Sequence, residues 1–410
     1  MSFLEKLLAD VDVELIPVAE IGELVRGNGL PKTDFTESGV PAIHYGQIYT
    51  YYGLSTVDTK SFVSSETAKK LKKVDTGDVI VTNTSENLKD VGKALVYLGT
   101  QQAVTGGHAT IFKPSTYVLG KYFAYYTQTE KFAQQKRKFA KGAKVIDFSA
   151  TDLAKIKIPI PSPKNAQKTL EIQAEIVRIL DIFSAMAAEL TAELNLRKKQ
   201  YKYYLDKLLS FKDDEVEWKA LGEVANFANG KGHEKDIIED GEYIVVNSKF
   251  ISSNGRVAKY SNKQICPLFI NDILLVMSDL PNGKALAKTF IVDVDDRYTL
   301  NQRIGRISIK NKNDLHPKFL YYFLNRNPQL TKFDNGVDQT NLRKDQILGV
   351  KIPILSLTEQ TRIVTILDKF DTLIYSINEG LPREIELRQQ QYEYYRDLLF
   401  SFPKSEGIEA

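Results

Sequence analysis

The strongest constraint on the fold is a phrase that the chain repeats. The stretch "RKKQYKYYLDKLLSF" at residues 197–211 returns 191 residues later as "RQQQYEYYRDLLFSF" at residues 388–402. Other pairs keep the same order along the chain: "KIKIPIPS" at 155–162 with "GVKIPILS" at 349–356, and "QAEIVRILDIF" at 173–183 with "QTRIVTILDKF" at 360–370. Self-similarity on this scale predicts two copies of one structural unit.

Each copy closes with a long segment that has helical periodicity. Its apolar residues alternate spacings of three and four, which is typical of a coiled-coil seam. The predicted seam residues are Ile176, Ile179, Phe183, Leu190, Leu194, Tyr201, Tyr204, Leu208, Ile363, Ile366, Phe370, Leu373, Ile377, Tyr392, Tyr395 and Leu399. Because each helix can bury its seam only against the other, we expect an antiparallel pair, broken or kinked at Gly380 and Pro382. The alternative is one compact helical core.

Two blocks of mixed character lie between the helical segments. Strand-like runs in one block have counterparts in the other: "VPAIHYGQI" at 40–48 with "EYIVVNSKF" at 242–250, and "DVIVTNTS" at 78–85 with "DILLVMSD" at 272–279. Short helices are predicted at 121–139 and 317–330. Strands with few helices indicate an α+β class. We therefore predict two similar α+β heads held apart by two long antiparallel helices, pseudo-two-fold symmetric and circularly arranged.

The domain boundaries follow from the repeat. They are 1–158 for the N-terminal head, 159–215 for the first spacer helix, 216–352 for the C-terminal head, 353–402 for the second spacer helix and 403–410 for a tail. Within the first segment, "FLEKLL" at 3–8 resembles "YLDKLL" at 204–209. Residues 1–12 are therefore predicted to be a helix fragment that packs on the ends of the spacer.

Composition excludes several classes of protein. A single cysteine, Cys266, rules out a disulfide framework and a multi-cysteine zinc site, and it suits a reducing cytosol. No stretch approaches the roughly 20 apolar residues of a membrane span. We expect a soluble cytoplasmic protein with no membrane contact.

Catalytic signatures are missing from the sequence. It contains no phosphate-binding loop, no dinucleotide-binding glycine turn and no nucleophile elbow. The four histidines have no metal-ligand spacing. "NPQL" at 327–330 only partly resembles the base-gripping motif of amino-methyltransferases and is interpreted as a helix end; "EWK" at 217–219 lacks the partner aspartate of a nuclease. No catalytic or metal-binding residue is predicted.

Positive charge is concentrated in the heads. Residues 24–158 carry a net charge of +8 and residues 224–352 a net charge of +5, whereas 164–217 and 353–410 carry −1 and −4. One interpretation is ordinary surface scatter. The other is a pair of heads that face a polyanion, in which Lys and Arg neutralise phosphates while Asn, Gln and Arg read base edges.

The predicted DNA-binding residues are polar side chains at matched positions of the two blocks and in the basic segment 134–144. In the first head they are His44, Tyr45, Gln47, Asn83, Lys93, His108, Lys136, Arg137, Lys138, Lys141 and Lys144. In the second head they are Asn247, Lys249, Lys284, Asn301, Gln302, Arg303, Asn341, Arg343 and Lys344.

The helical regions resemble a known family. Residues 158–211, with "TAEL" at 191–194, followed by residues 215–224, are similar to the central region of specificity subunits of type I restriction–modification enzymes. Residues 357–374 and 380–402 are similar to their C-terminal region, and the "TAEL" unit resembles the IC subclass of this family. The resemblance implies two target-recognition domains that each read half of a bipartite, asymmetric site in double-stranded DNA.

The resemblance also implies partners. Two methyltransferase subunits with S-adenosylmethionine and two restriction subunits with ATP and Mg²⁺ would carry out the chemistry, adenine methylation and DNA cleavage, so this chain would bind no cofactor itself. The competing hypothesis is a non-catalytic coiled-coil adaptor whose heads bind proteins or small ligands. The basic heads argue against that adaptor.

If the spacer sets the unread gap between the half-sites, inserting a second "TAEL" after Leu194 should lengthen the gap. Four residues lengthen an α-helix by about 6 Å and rotate its end by about 40° beyond a full turn. One base pair of DNA corresponds to a rise of about 3.4 Å and a rotation of roughly 35°. We expect the variant to recognise the same half-sites with a gap longer by one base pair, because the added rotation matches one base pair. The gap would be longer by two base pairs if the added length mattered more than the rotation. The measurement is methylation of duplexes that differ only in gap length, and an unchanged gap would refute a measuring role.

Overall fold

The structure is a computed structural model that describes residues 8, 11–212, 214–281 and 283–402, without the side chains of 373–379. It divides into two compact units, Met1–Glu193 with Leu381–Ala410, and Leu194–Gly380. The boundaries fall inside the two long helices, so each unit contains one head and part of both helices. Most of the predicted 1–12 fragment lies outside the described residues. Leu8 is buried in the core of the first unit.

The first head is built on two mixed sheets. Its strands are β1 (Val13–Pro17), β2 (Gly22–Arg26), β3 (Phe35–Thr36), β4 (Val40–Ile43), β5 (Ser55–Thr56), β6 (Ser61–Val63), β7 (Lys72–Val74), β8 (Val79–Thr82), β9 (Thr84–Ser85), β10 (Ala94–Tyr97), β11 (Ala103–Thr105), β12 (Ala109–Pro114), β13 (Ile146–Asp147) and β14 (Lys157–Pro161). The sheet orders are β2-β12-β8-β10-β5 and β3-β6-β4-β11-β7. Fully buried side chains such as Ile80 and Ile111 form the core on these strands.

Short helices cover this head. They are α1 (Tyr45–Thr50), α2 (Ser65–Lys70), α3 (Gly120–Tyr126), α4 (Glu130–Phe139) and α5 (Ala150–Leu153), and the first long helix is α6 (Ala166–Leu208). The helical prediction over 121–139 is confirmed, although the segment forms two helices. Thr129 separates them because its hydroxyl accepts a hydrogen bond from the backbone N–H of Phe132 and caps α4.

The second head repeats this plan with fewer strands. They are β15 (Glu217–Ala220), β16 (Ala225–Asn229), β17 (Tyr243–Val246), β18 (Tyr260–Ser261), β19 (Ile273–Val276), β20 (Ser278–Asp279), β21 (Thr289–Ile291), β22 (Tyr298–Leu300), β23 (Ile304–Ile309), β24 (Thr340–Asn341) and β25 (Lys351–Ile354). The helices are α7 (Leu221–Val224), α8 (Ser248–Ser252), α9 (Pro317–Leu324), α10 (Pro328–Thr331), α11 (Lys344–Leu348) and the long α12 (Leu357–Leu399). The sheet orders are β16-β23-β19-β21 and β18-β17-β22.

Both heads are closed in the same way, by pairing their first and last strands. β1 runs antiparallel to β14, with Val13 opposite Pro161, and β15 runs antiparallel to β25, with Glu217 opposite Ile354. The α+β class and the internal duplication are thus confirmed. The "EWK" stretch is the first strand of its head. "NPQL" begins a helix and does not end one, because α9 ends at Leu324 and Asn327 caps the separate helix α10.

Two further local predictions are wrong. The stretches 40–48 and 242–250 are not continuous strands: the strands end at Ile43 and Val246, and helices begin at Tyr45 and Ser248. The second long helix also does not break at Gly380 and Pro382, since α12 continues through them to Leu399, while a kink there stays a prediction. A proline removes a single N–H donor from the helical ladder, and the bonds on both sides of that gap keep the helix intact.

The predicted seam residues lie on the long helices, and several make ring contacts inside each unit. Phe183 stacks on Tyr395 in the first unit, with ring centroids 5.2 Å apart, and Tyr204 stacks on Phe370 in the second at 5.1 Å. Buried members of the set are Ile176, Ile179, Leu194, Ile363, Tyr392 and Leu399. The side chains of Leu373 and Ile377 lie outside the described residues. The seam pattern did not include Leu180 and Leu367, which are fully buried in the head cores.

A lysine, a tyrosine and an aspartate join each head to its long helix. In the first unit the Asp181 carboxylate accepts hydrogen bonds from Lys121 Nζ at 2.8 Å and from the Tyr125 hydroxyl at 2.7 Å. In the second unit Asp368 accepts from Lys318 Nζ at 2.7 Å and from the Tyr322 hydroxyl at 2.8 Å. These matching triads fix one face of α3 or α9 on the adjacent long helix.

Replacing Tyr322 by Phe should destabilise the second unit by about 1–2 kcal/mol, because the aspartates beside it lose a buried donor. The Tyr322 hydroxyl also lies 2.8 Å from Asp371 Oδ2, and burial together with the two carboxylates raises its pKa. The measurement is the free energy of unfolding in urea. Tyr203→Phe is the matched control, since Tyr203 is 59% exposed. Equal stability of the two variants would contradict a structural role for the triad.

Candidate nucleic-acid interface

In each head, two neighbouring parallel strands end at the same edge of a sheet. β4 pairs in parallel with β11 in the first head, and β17 pairs in parallel with β22 in the second. Loops that follow parallel neighbours leave a sheet on the same side, where ligands commonly bind. We call this edge the corner: residues 44–49 with 106–108 in the first head, and 247–249 with 301–303 in the second.

The same helix cap stands at both corners but with different side chains. His44 Nδ1 accepts a hydrogen bond from the backbone N–H of Gly46 at 3.1 Å, and Asn247 Oδ1 accepts from the N–H of Phe250 at 2.9 Å. Burial, together with the positive charge of Lys32 and the nearby His108, lowers the pKa of His44. His44 is therefore neutral at pH 7, as its role as an acceptor requires.

Aromatic rings line the corner of the first head. The Tyr45 ring lies between those of His44 and His108, with centroid distances of 4.6 and 4.8 Å. His108 is exposed, and its Nδ1 lies 3.1 Å from the Thr84 hydroxyl. Tyr45 and His108 therefore offer a ring face and ring nitrogens at this corner, the groups that stack on and hydrogen-bond to bases. His44 is 9% exposed, its Nδ1 is used in the α1 cap, and its ring packs against Tyr45.

Two predicted contacts in the first head are wrong because their side chains are used inside the fold. Asn83 is 4% exposed, and its amide donates to Thr110 Oγ1 and to the backbone oxygen of Phe148. Gln47 donates through Nε2 to the Ser61 hydroxyl and forms part of the α1 cap. Lys93 is half-buried, with Nζ 3.5 Å from the backbone oxygen of Tyr49 in α1.

Lys136 is the third correction. It is 6% exposed, and its Nζ donates to the backbone oxygens of Lys89 and Val91 at 3.1 and 2.6 Å. Burial lowers the pKa of Lys136 to about 8, so the ammonium is still mostly charged at pH 7 and needs these two acceptors. It cannot contact a phosphate without giving them up.

The rest of the basic segment is exposed and borders the corner. Arg137, Lys138, Lys141 and Lys144 face solvent, and Arg137 forms a surface ion pair of 3.2 Å with Glu130. The backbone of Lys141 bonds to Asp147, and Asp147 lies opposite Thr84 in the β9–β13 pair. Because Thr84 contacts His108, the segment continues the surface that carries the aromatic cluster.

Five predicted residues of the second head meet at its corner. A cleft of about 370 Å³ is lined by Glu234, Asn247, Ser248, Lys249, Asn301, Gln302 and Arg303. Lys249, Gln302 and Arg303 are exposed there. The cleft therefore offers amide and guanidinium groups of the kind that recognise adenine and guanine in the major groove.

The other predicted residues of this head lie outside the cleft lining. Lys284 is exposed in the loop between β20 and β21, and Asn341 is exposed in β24. Arg343 caps α11 and forms a 3.5 Å surface ion pair with Asp345, while Lys344 is exposed in the first turn of that helix. Their role in DNA contact stays a prediction.

Sequence reasoning missed Thr84 and Ser248, and above all Glu234. Ser248 follows Asn247 directly in the sequence. Thr84 and Glu234 become neighbours of the corners only through the fold, which pairs β4 with β11 and places residues 231 and 301 in a bridge. The one available sequence signal was the glycine-rich stretch "NGKGHEKD" at 229–236, since closely spaced glycines mark a tight loop.

The remaining features concern metal binding and membrane crossing. Among the described residues no group of three or more His, Cys, Asp or Glu side chains is placed to hold a metal ion. None of the helices described here combines the length and apolar character needed to cross a bilayer.

Comparison with known proteins places these corners in a family. The sequence profile described as "Type I restriction modification DNA specificity domain" matches residues 10–197 and 213–387. The specificity subunit of the type I restriction enzyme EcoR124I/EcoR124II of Escherichia coli is 37% identical over 100% of this chain and 99% of its own. That of EcoprrI, also from E. coli, is 27% identical over 92% of both. The S subunit of M. genitalium shares the fold, with a TM-score of 0.55, 16% identity and 97% coverage of both chains.

Neutralising the four exposed cations Arg137, Lys138, Lys141 and Lys144 with Gln should weaken binding to all duplexes alike and flatten the salt dependence by up to about 3–4 in log–log slope. Lys136→Gln is the contrasting variant. It should leave the slope unchanged but destabilise the head by about 1–3 kcal/mol, because two buried carbonyl groups lose their donor. The measurements are duplex binding between about 50 and 200 mM salt and thermal unfolding. A flattened slope for Lys136→Gln alone would contradict this assignment.

Proposed function

We propose, from the premise that this chain belongs to the family of type I restriction–modification specificity subunits, that it selects the DNA sequence on which its complex acts. Each head would read one half of a bipartite, asymmetric site. The bases between the halves would be spanned without being read.

One observation carries this proposal: the same corner is built twice with different polar side chains. A tyrosine between two histidines occupies the first, and amides with an arginine and a lysine occupy the second. The capped helix, the parallel strand pair and the three-residue loop are shared. A constant scaffold with different base-facing groups is what two different half-sites require.

The chemistry belongs to partner subunits in this proposal. Two methyltransferase subunits would dock on the long helices and use S-adenosylmethionine to methylate adenine, and two restriction subunits would use ATP and Mg²⁺. A solved structure that matches this fold, with a TM-score of 0.56 and 14% identity, comes from work on complex assembly of the type I restriction–modification system. The chain itself would be non-catalytic and would act in the cytoplasm, where cellular DNA is reached.

The adaptor hypothesis loses its basis once the family is known. It required heads that bind proteins or small ligands, whereas the family profile covers both heads. The second cleft is also lined by polar side chains throughout, while small-molecule pockets are predominantly apolar.

Exchanging the first head for that of a relative should change one half-site and leave the other intact. The exchange should include residues 13–161, because β1 and β14 are paired and must come from the same protein. The measurement is methylation of genomic DNA by the assembled complex, mapped by sequencing. The reciprocal exchange of residues 217–354, which keeps β15 with β25, is the matched control. A change in both halves after a single exchange would contradict independent reading.

A further inference from the structure

The second corner contains a carboxylate that the basic character of the heads does not explain. Glu234 is exposed and lines the cleft with Lys249, Asn301, Gln302 and Arg303. No ion pair of Glu234 is present among the described residues. A carboxylate on a DNA-facing surface repels phosphates, so it weakens general affinity unless it meets a hydrogen-bond donor.

The loop that carries Glu234 is held rigidly. His233 is fully buried, with Nδ1 2.8 Å from the backbone oxygen of Lys231 and Nε2 2.9 Å from the Thr299 hydroxyl in β22. Asp236 closes the turn through a backbone bond to His233 and is tied to Lys263 by a 2.6 Å ion pair. The position of the Glu234 backbone is therefore fixed before any ligand arrives, which lowers the entropic cost of binding.

The local backbone leaves room for the Glu234 side chain. A methyl group added at Gly232 would lie 2.6 Å from Glu234 Oε2 and 3.6 Å from Gln302 Oε1. A side chain at residue 232 would therefore displace the Glu234 carboxylate from its place beside the 301–303 loop. Glu234 thus reaches the same small surface as the amide of Gln302.

The scaffold does not require this acid. Residue 28 bridges residue 106 in the first head as residue 231 bridges residue 301 in the second, and the same offset places Pro31 of the first head at the position of Glu234. The first head therefore closes its loop without a carboxylate. Glu234 is a feature of one corner only, as expected of a group that sets specificity and not of one that maintains the fold.

We propose that Glu234 determines one position of the half-site read by the second head, by accepting a hydrogen bond from the exocyclic amino group of cytosine or adenine in the major groove. Those amino groups are the donors that the major groove presents, and a carboxylate rejects guanine and thymine there because they present acceptors. The neighbouring Arg303 is complementary, since guanidinium groups donate to guanine. This inference rests on the proposed function.

The test uses the full chain assembled with its methyltransferase and a pool of duplexes randomised in both half-sites. The wild-type complex should require cytosine or adenine at one position of one half-site. Glu234→Ala should lower discrimination at that position by roughly 5- to 150-fold and leave every other position unchanged. Glu234→Gln keeps an acceptor but gains an N–H donor, so it should relax the rejection of guanine and thymine at that position. Glu239→Gln removes an exposed acid outside the cleft lining and should change no base preference.

Removing the amino group from the base gives a second, independent readout. A duplex with 2-pyrimidinone for cytosine, or purine for adenine, at that position should be a poorer substrate for the wild-type complex by a similar factor. For Glu234→Ala the same substitution should have no effect, because the acceptor is already absent.

Three results would overturn the inference. Glu234 variants could keep the wild-type preference at every position, or raise affinity for all duplexes alike, which would mean that Glu234 acts only by repelling phosphates. The amino-group deletion could also affect wild type and variant equally. If the wild-type complex methylates the pool without a bipartite preference, the proposed function itself is wrong. That result differs from the other three, in which the wild-type complex still recognises a bipartite site.

Discussion

Pairing of the first and last strands is the constraint on which each head depends. β1 with β14 and β15 with β25 bring the chain back to the place where it entered the head, so that the following long helix begins at a fixed point. The two ends of a head closed in this way are adjacent. Sequence changes inside the head therefore do not alter where the long helix starts. The lysine–tyrosine–aspartate triads then fix the head on that helix in both units.

The long helices were predictable because their signal is long and local. Each long helix has 43 residues, so the alternation of three and four is repeated many times. The pattern missed Leu180 and Leu367, which face the head. The corners were less predictable because they depend on strand register. The stretch "VPAIHYGQI" has the composition of a strand, yet His44 ends it by capping a helix with its ring nitrogen, a choice that apolar periodicity does not encode.

Residue type predicted the second corner better than the first. Asn247 and Lys249 were predicted from matched positions of the two blocks, and Asn301, Gln302 and Arg303 from the ability of their side chains to pair with bases. All five line one cleft. In the first head, Asn83 and Gln47 have the same chemistry but satisfy polar groups of the fold. Burial distinguishes Asn83, which is 4% exposed, because a buried amide is recruited by polar groups of the fold. Gln47 and Asn247 are both half-buried, and both take part in a helix cap.

Net charge counts overstate the positive field that a head presents to a polyanion. Lys136 neutralises no external charge because its ammonium is enclosed by two carbonyl groups, and Lys113 is bound by Asp75 and Asp78 at 2.8 and 2.6 Å. Arg137, Lys138, Lys141 and Lys144 remain exposed in the basic segment, and other exposed cations, such as Lys69, Lys70 and Lys72, lie elsewhere on the same head. In the proposed function, the exposed cations of the basic segment would hold phosphates while the corner reads the bases, because phosphate contacts position a protein on DNA and base contacts specify the sequence.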